Sequence, residues 1–303
     1  MTCDLTAPEF TNKEAALAHM EASRWPNGAN CPHCGSFNVH KMGGATQAGM
    51  FLCNDCRDKF TVRTGTVFER SHIAVHKWLL AMHLMAASKK GISAHQLHRM
   101  LGITYKSAWF MAHRIREAMT PRASTPKVGG EGSIVEADDT ELTPSRKTKA
   151  TRTRAENKKF ISLIERGGAV RSKMIDAANT REIRTAIAQH VDERSILHTD
   201  GAQVYKGLLT VAEHESVNHK VTYVRENNRG KVHTNSAEGY FSLFKRGLFG
   251  TYQHISERHM PRYLAEFDFR QNNRVRLGID DATRAARILK GAEGKRLTYQ
   301  QPR

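Results

Sequence analysis

Two Cys-x-x-Cys pairs, Cys31-Pro-His-Cys34 and Cys53-Asn-Asp-Cys56, stand 18 residues apart near the N-terminus. Each pair lets two thiolates converge on one ion, and four thiolates fill the tetrahedral shell of Zn2+ at about 2.3 Å. Gly35, directly after Cys34, suits the tight knuckle in which backbone N–H groups point at sulfur. The spacing therefore predicts a zinc ribbon over the first part of the chain. A closed four-sulfur shell leaves no open position, so this zinc folds a module and does no chemistry. A thioredoxin-like redox pair would need a βαβ context that is missing here. The fifth cysteine, Cys3, reads as an ordinary thiol, and His33 and His40 as surface groups beside the ligands. Five cysteines do not make a disulfide framework, and the paired four fit a reducing compartment.

The chain has 303 residues, 39% apolar and 25% charged, which is ordinary globular composition with room for two or three domains. Its formal charge of +17 favours an anionic partner, most simply nucleic acid, through phosphate contacts and counterion release. No apolar run is long enough to span a bilayer. The N-terminal MTCDLTAPEF lacks the basic and apolar regions of a signal peptide, so a cytoplasmic, nucleoid-associated protein is expected.

Residues 10–25 read as an amphipathic helix opened by Thr11 or Asn12, and residues 72–119 are helical in pattern. Within the latter, ISAHQLHRMLGITYKSAWFMAHRIREAM (92–119) is punctuated by caps. Ser93 can open a helix with Leu97 and Leu101 inward, Gly102 permits a turn, and Thr104 can open a second helix. Ala108, Met111, Ala112 and Ile115 form the buried side of that second helix. Tyr105, Lys106, Ser107, His113, Arg114 and Arg116 are left for its other faces, and Trp109 reads as core. This is the layout in which a second helix enters a major groove, although a helical hairpin without DNA has the same apolar pattern.

TPRASTPKVGGEGS (120–133) then reads as a linker, after which strands and helices alternate. IVEADDT (134–140) is a strand, and KFISLIERGGAVRSKMI (159–175) a hairpin turning at Gly167-Gly168. A helix over 179–191 capped by Asn179 and the strand SILHTD (195–200) follow. Next come a helix around Tyr205–Leu209, a strand near 215–223, and further helices over 258–273 and 281–291. In HTNSAEGYFSLFKRG (233–247), Glu238 and Lys245 share a helix face two turns apart. The expected segments are an N-terminal helix and zinc ribbon (1–68), a helix-turn-helix (69–120), a linker (121–133), an α/β domain (134–276) and a C-terminal helix and tail (277–303).

A metal-dependent phosphoryl transferase must gather carboxylates around two divalent cations. Mg2+ keeps several waters, so two or three acids suffice. Asp138 in the first strand, Asp200 ending a later strand and Glu238 on a following helix form such an ordered set. The order of elements matches an RNase H-like α/β fold, a mixed sheet flanked by helices. Taken singly, each acid is as well explained as a surface or capping carboxylate.

VEADDT, LHTDGAQVYKGL and the run VHTNSAEGYFSLFKRGLFGTYQHIS through RYLAEFDFRQNNR resemble one family. It is the bacterial ISXO2-like insertion-sequence transposases, DDE enzymes related to the eukaryotic Merlin elements. The resemblance extends from RWPNGANCPHCGS to about Arg274. It implies a DNA transposase that cuts and joins an insertion sequence using Mg2+ or Mn2+, with structural Zn2+ in its ribbon. Carried over by position, Asp138, Asp200 and Glu238 would be the catalytic metal ligands and Lys245 a basic residue near substrate DNA, with His233 and Asn235 in the HTN element. Partners would be the element's terminal inverted repeats and target DNA, with a homo-oligomer on synapsis and no membrane.

One motif departs from the family. Relatives carry Asp-Glu, then Thr or Ser and Tyr, where this chain reads Asp138-Asp139-Thr140-Glu141, so Asp139 competes with Asp138 as first ligand. Asp138 is preferred on motif position. Candidate DNA contacts are Tyr105, Lys106, Ser107, Arg114 and Arg246, with Lys147, Lys149, Arg152 and Arg154 in the basic stretch 144–159. Two rivals remain: a DNA-binding regulator derived from a transposase, with an inactive catalytic domain, and a nuclease or resolvase with the same metal site.

Overall fold

The computed structural model describes residues 4–44, 48–142, 158–175, 179–208, 210–217, 221–227 and 230–298. By contact the chain falls into two compact units, Met1–Thr120 together with Asn273–Arg303, and Pro121–Asn272.

The first unit opens with α1 (Pro8–Thr11) and α2 (Lys13–Arg24), the latter capped by Asn12, whose side chain accepts from Ala15 N at 2.8 Å. β1 (Val39–Lys41), β2 (Met50–Cys53) and β3 (Lys59–Thr61) form an antiparallel sheet in that order. Trp25 packs edge-on against Phe51 and Phe60, with ring centroids 5.2 and 5.8 Å away. α3 (Val75–Ala87) buries Val75, Trp78, Leu79, Met82 and Met85 among others, so it is apolar on most of its circumference and lies inside the unit. α4 (Ala94–Leu101) and α5 (Tyr105–Met119) follow the caps read from sequence. Ser93 Oγ accepts from Gln96 N at 3.1 Å and Thr104 Oγ1 from Ser107 N at 3.2 Å. Between the helices Gly102 sits at φ 57°, a conformation that costs residues with a Cβ.

The second unit is built on a five-stranded mixed sheet. β4 (Ile134–Leu142) runs antiparallel to β5 (Lys158–Glu165), which pairs antiparallel with β6 (Val170–Ile175). On its other side β4 runs parallel to β7 (Ile196–Asp200), itself parallel to β8 (Glu213–Val217), giving the order β6-β5-β4-β7-β8. α6 (Thr180–His190), capped by Asn179, covers one face, where Val135, Ala137, Ile161, Leu163 and Leu197 meet Ile183 and Ile187. A short ribbon, β9 (Arg225–Asn227) with β10 (Gly230–Val232), leads into α7 (Asn235–Gly247). α7 and α8 (Met260–Asn272) cover the opposite face, where Leu142, Phe160 and Ile164 meet Phe241, Phe244, Leu264 and Phe267. The architecture is the three-layered, RNase H-like mixed sheet expected from the order of elements.

Two local readings change. Around Tyr205 the chain makes only a 3-10 turn, Gln203–Tyr205, because Gly207 enters the left-handed region at φ 68° and stops the helix. Of the strand expected near 215–223, the described part is Glu213–Val217, and residues 218–220 lie outside the described residues.

The last helix, α9 (Asp281–Gly291), belongs by contact to the first unit and packs against α3 and α5. Arg284, 8% exposed, donates to Ala86 O at 2.9 Å.

Candidate active site and metal centre

The β4–β7 register pairs Ala137 with Thr199, so the next rung sets Asp138 beside Asp200 on adjacent parallel strands. Side chains alternate along β4. Val135 and Ala137 enter the core beneath α6, while Glu136 and Leu142 face α7 and α8. Asp138 therefore shares the α7 side with Glu136. Asp139 points the other way, where the Tyr205 hydroxyl donates to its Oδ1 at 2.9 Å.

Electrostatics couples Asp138 to all of its acidic neighbours. Burial, reinforced by Asp200, Asp139 and Glu238, pushes the Asp138 carboxyl up to about 7. Asp139 is raised by burial and held back by the Tyr205 hydroxyl. Carboxylates crowded this way are short of positive charge, and a divalent cation supplies it. The three acids are more widely spread than a single closed coordination shell. Among the described residues only the four cysteines form a ligand group within 4.8 Å.

α7 is placed by a residue that sequence reasoning passed over. Glu136 is fully buried, and its carboxylate accepts from Ser236 N at 2.7 Å, Ala237 N at 3.3 Å and Ser236 Oγ at 3.0 Å. Arg166, in the β5–β6 turn, donates from Nε to Glu136 at 2.7 Å and from Nη1 to Lys231 O at 2.7 Å. Its Nη2 reaches His233 O and His198 Nδ1, each at 3.1 Å. Burial first, then Arg166, lowers both histidines, His198 to about 4, so both are neutral near pH 7. His233, 3.2 Å from Glu136, thus belongs to the socket that holds the start of α7. Asn235 is the first residue of the helix, and its N–H points at His233 Nδ1 at 3.3 Å. One signal was available in sequence: an acid between Val135 and Ala137 in an otherwise apolar stretch of strand.

From that anchored start, α7 carries Glu238 in its first turn and Lys245 and Arg246 in its last. Glu238, Ser242, Lys245 and Arg246 line one open groove of about 740 Å³ together with the rings of Phe241 and Phe249. Arg246 is exposed and bonds back to Ser242 O through Nε at 3.2 Å.

In the first unit the cysteine sulfurs test the zinc reading directly. A tetrahedron with metal–sulfur bonds of about 2.3 Å has edges of about 3.8 Å. Cys31 and Cys56 sulfurs stand 3.7 Å apart, and Cys34 and Cys53 sulfurs 3.6 Å. His33 N points at Cys31 Sγ at 3.4 Å, and Gly35 takes the left-handed φ of 79° that the knuckle needs. The second knuckle uses Arg57 at φ 63° for the same turn. The donor set fits Zn2+. His40 lies outside it, bonded to Asn54 Oδ1 at 3.1 Å.

The residues proposed for DNA other than Arg246 fall into three groups. Tyr105, Lys106 and Ser107 occupy the first turn of α5, with Tyr105 43% exposed and its ring stacked on His95 at 4.2 Å. Arg114 turns inward, donating to Glu69 O at 3.0 Å and Leu297 O at 3.2 Å. Lys147, Lys149, Arg152 and Arg154 lie outside the described residues, as does Cys3.

Comparison with known proteins follows the two units. Residues 128–272 match the ISXO2-like transposase domain, and residues 11–59 match the transposase zinc-ribbon domain. The chain is also 27% identical over 277 residues to an uncharacterized protein in transposable element ISH50 of Halobacterium salinarum, covering 86% of this chain and 92% of that one. Among the described residues no helix is long and apolar enough to cross a membrane.

Proposed function

We propose that this chain, which belongs to the ISXO2-like transposase family, cuts the ends of an insertion sequence and joins them to target DNA. The observation that carries the reading is the rung of β4 and β7 that sets Asp138 beside Asp200, on the side from which α7 offers Glu238. These three acids would hold Mg2+ or Mn2+. Bound there, the cations would activate the attacking oxygen and stabilise the leaving one.

The protein's own part is to hold and orient. Asp200 is fixed by its own turn, Oδ1 accepting from Ala202 N at 3.1 Å. Asp138 accepts from Asp139 N at 2.9 Å, so both aspartates are aimed before substrate arrives. Glu238 completes the set from a helix seated on Glu136 and Arg166. Lys245, two turns further along α7, is suited to meet a phosphate of the bound strand. The zinc ribbon and the exposed first turn of α5 would recognise the terminal repeats, and two ends would be brought together by more than one copy of the chain.

Asp200→Asn tests the assignment. Cleavage of a duplex carrying the element's end should disappear, while binding to the same duplex stays within a few-fold of wild type. Full cleavage in that variant would sink the proposal. In the unaltered protein, joined products identify a transposase, cut products alone a nuclease or resolvase, and binding alone a regulator.

A further inference from the structure

We infer that Phe249 is a stacking platform for an unpaired base of the bound DNA, beside the phosphate-binding cations Lys245 and Arg246. The inference rests on the reading of α7 as part of a DNA-cutting site and adds a second kind of contact to it.

The aromatic residues of α7 are otherwise hidden. Phe241 is 6% exposed and Phe244 fully buried, whereas Phe249 is 57% exposed. A single exposed phenyl ring is common and by itself means little. This ring, however, lines the same groove as Glu238, Lys245 and Arg246. A carboxylate, two cations and an open aromatic face in one groove match a single strand, whose backbone is anionic and whose bases stack on rings.

The exposure is built in. Phe249 lies on a π turn, Leu248–Tyr252, that ends α7, and π turns are rare and frequent at functional sites. The turn is pinned on its inner side. Leu248 is 7% exposed, and its carbonyl accepts from Gln253 N at 2.6 Å. The Tyr252 hydroxyl donates to Glu266 Oε1 at 2.7 Å, and its ring stands 4.8 Å from that of Tyr263. Glu266 is itself fully buried and paired with Arg270. A turn fixed this firmly holds Phe249 outward, and Gly250 beside it adds no side chain that would cover the ring.

Geometry assigns the base as well as the chemistry. Glu238 and Phe249 lie eleven residues apart, about 16 Å of helical rise. The stacked base therefore sits within roughly five nucleotides of the cut and is not the nucleotide being cut.

Stacking on an aromatic ring tolerates any base, so the probe can have arbitrary sequence. The full chain, with no divalent cation added beyond its zinc, is titrated with a duplex of about 30 base pairs. One version ends in about five unpaired thymidines and the other is blunt. Wild type should prefer the frayed end, and Phe249→Ala should weaken binding to it by about 5- to 150-fold, the range for one stacked base. Phe249→Trp should keep the preference, while Phe249→Leu, apolar but unable to stack, should lose it. Abasic replacements are then made one at a time. At one position the replacement should bring wild type down to the level of Phe249→Ala and cost that variant nothing more. Equal binding by wild type and Phe249→Ala, or losses that add at every position, would overturn the inference. The binding readout stands apart from catalysis. Cleavage without this coupling discards the platform and keeps the transposase, and coupling without cleavage does the reverse.

Discussion

The carboxylate of Glu136 accepts the backbone N–H of Ser236 at 2.7 Å, across 100 positions of sequence. Thr234, the residue before α7, gives the helix no side-chain cap, and this buried acid takes that place, opposite the positive end of the helix dipole. Arg166 balances the charge. Glu136→Gln keeps an acceptor oxygen but leaves the half-buried Arg166 without its ion. Melting of the second unit should show a loss of roughly 1–2 kcal/mol. Because Glu238 rides on the same helix, cleavage measured well below the melting point should need more Mn2+ for half-maximal rate. A shift in melting alone, with the Mn2+ dependence unchanged, would reduce Glu136 to a purely structural residue.

Asp138 and Asp139 should separate cleanly. Asp138 faces α7, whereas Asp139 is held by Tyr205 on the α6 side. Asp138→Asn should remove cleavage to below about one-thousandth of wild type. Asp139→Asn should leave it within about ten-fold. Tyr205→Phe, which strips a donor from a half-buried acid, should cost roughly 1 kcal/mol of stability in urea titrations. Complete loss of cleavage in Asp139→Asn would transfer the ligand role to the neighbouring residue.

Stability without added divalent cation should fall as pH rises. The native carboxyl of Asp138 is pushed up to about 7, above its unfolded value near 4, so the folded chain holds a proton that the unfolded chain has released. The contribution is complete below about pH 4 and gone above about 7. Discounted for partial exposure, it should amount to roughly 1–2 kcal/mol. Denaturant midpoints taken from pH 4.5 to 8 should show a shallower slope in Asp138→Asn than in wild type, and saturating Mg2+ should flatten the wild-type curve. Parallel slopes for the two proteins would mean that the acid is not strained by its neighbours.

Zinc removal should act on the first unit. The four sulfurs join β2 and the knuckles to a sheet of three short strands, too small to be stable without a staple. Cys31→Ser should lower bound zinc from one per chain to nearly none, read by metal analysis. Hydrogen exchange should then rise throughout residues 30–62 and stay unchanged in β4, β5 and β7. Protection of the ribbon without metal would contradict its dependence on the ion.

Much of this was legible because the signals are local. Asn12, Ser93, Thr104 and Asn179 cap the helices they precede, and Gly102 turns where a left-handed residue is needed. The cysteine spacing encodes its own geometry, and the order of acids along strands and helix foretold which elements would meet. What escaped depends on distant partners. Glu136 looks like one more polar residue in a strand until Ser236 and Arg166 arrive from far along the chain. The inward turn of Arg114 is equally invisible, since its acceptors at Glu69 and Leu297 belong to other elements. The helix expected around Tyr205 is a single 3-10 turn, with Gly207 at a left-handed φ of 68° directly after it.

The return of α9 to the first unit sets an order of manufacture. A ribosome must finish roughly 150 residues of the second unit, at about 5–20 residues per second, before α3 receives its last packing partner. For on the order of ten seconds, while the second unit is being made, the zinc-bearing unit still lacks part of its core. A message cut short after Asn272 would yield a chain with every proposed catalytic acid and an incomplete first unit.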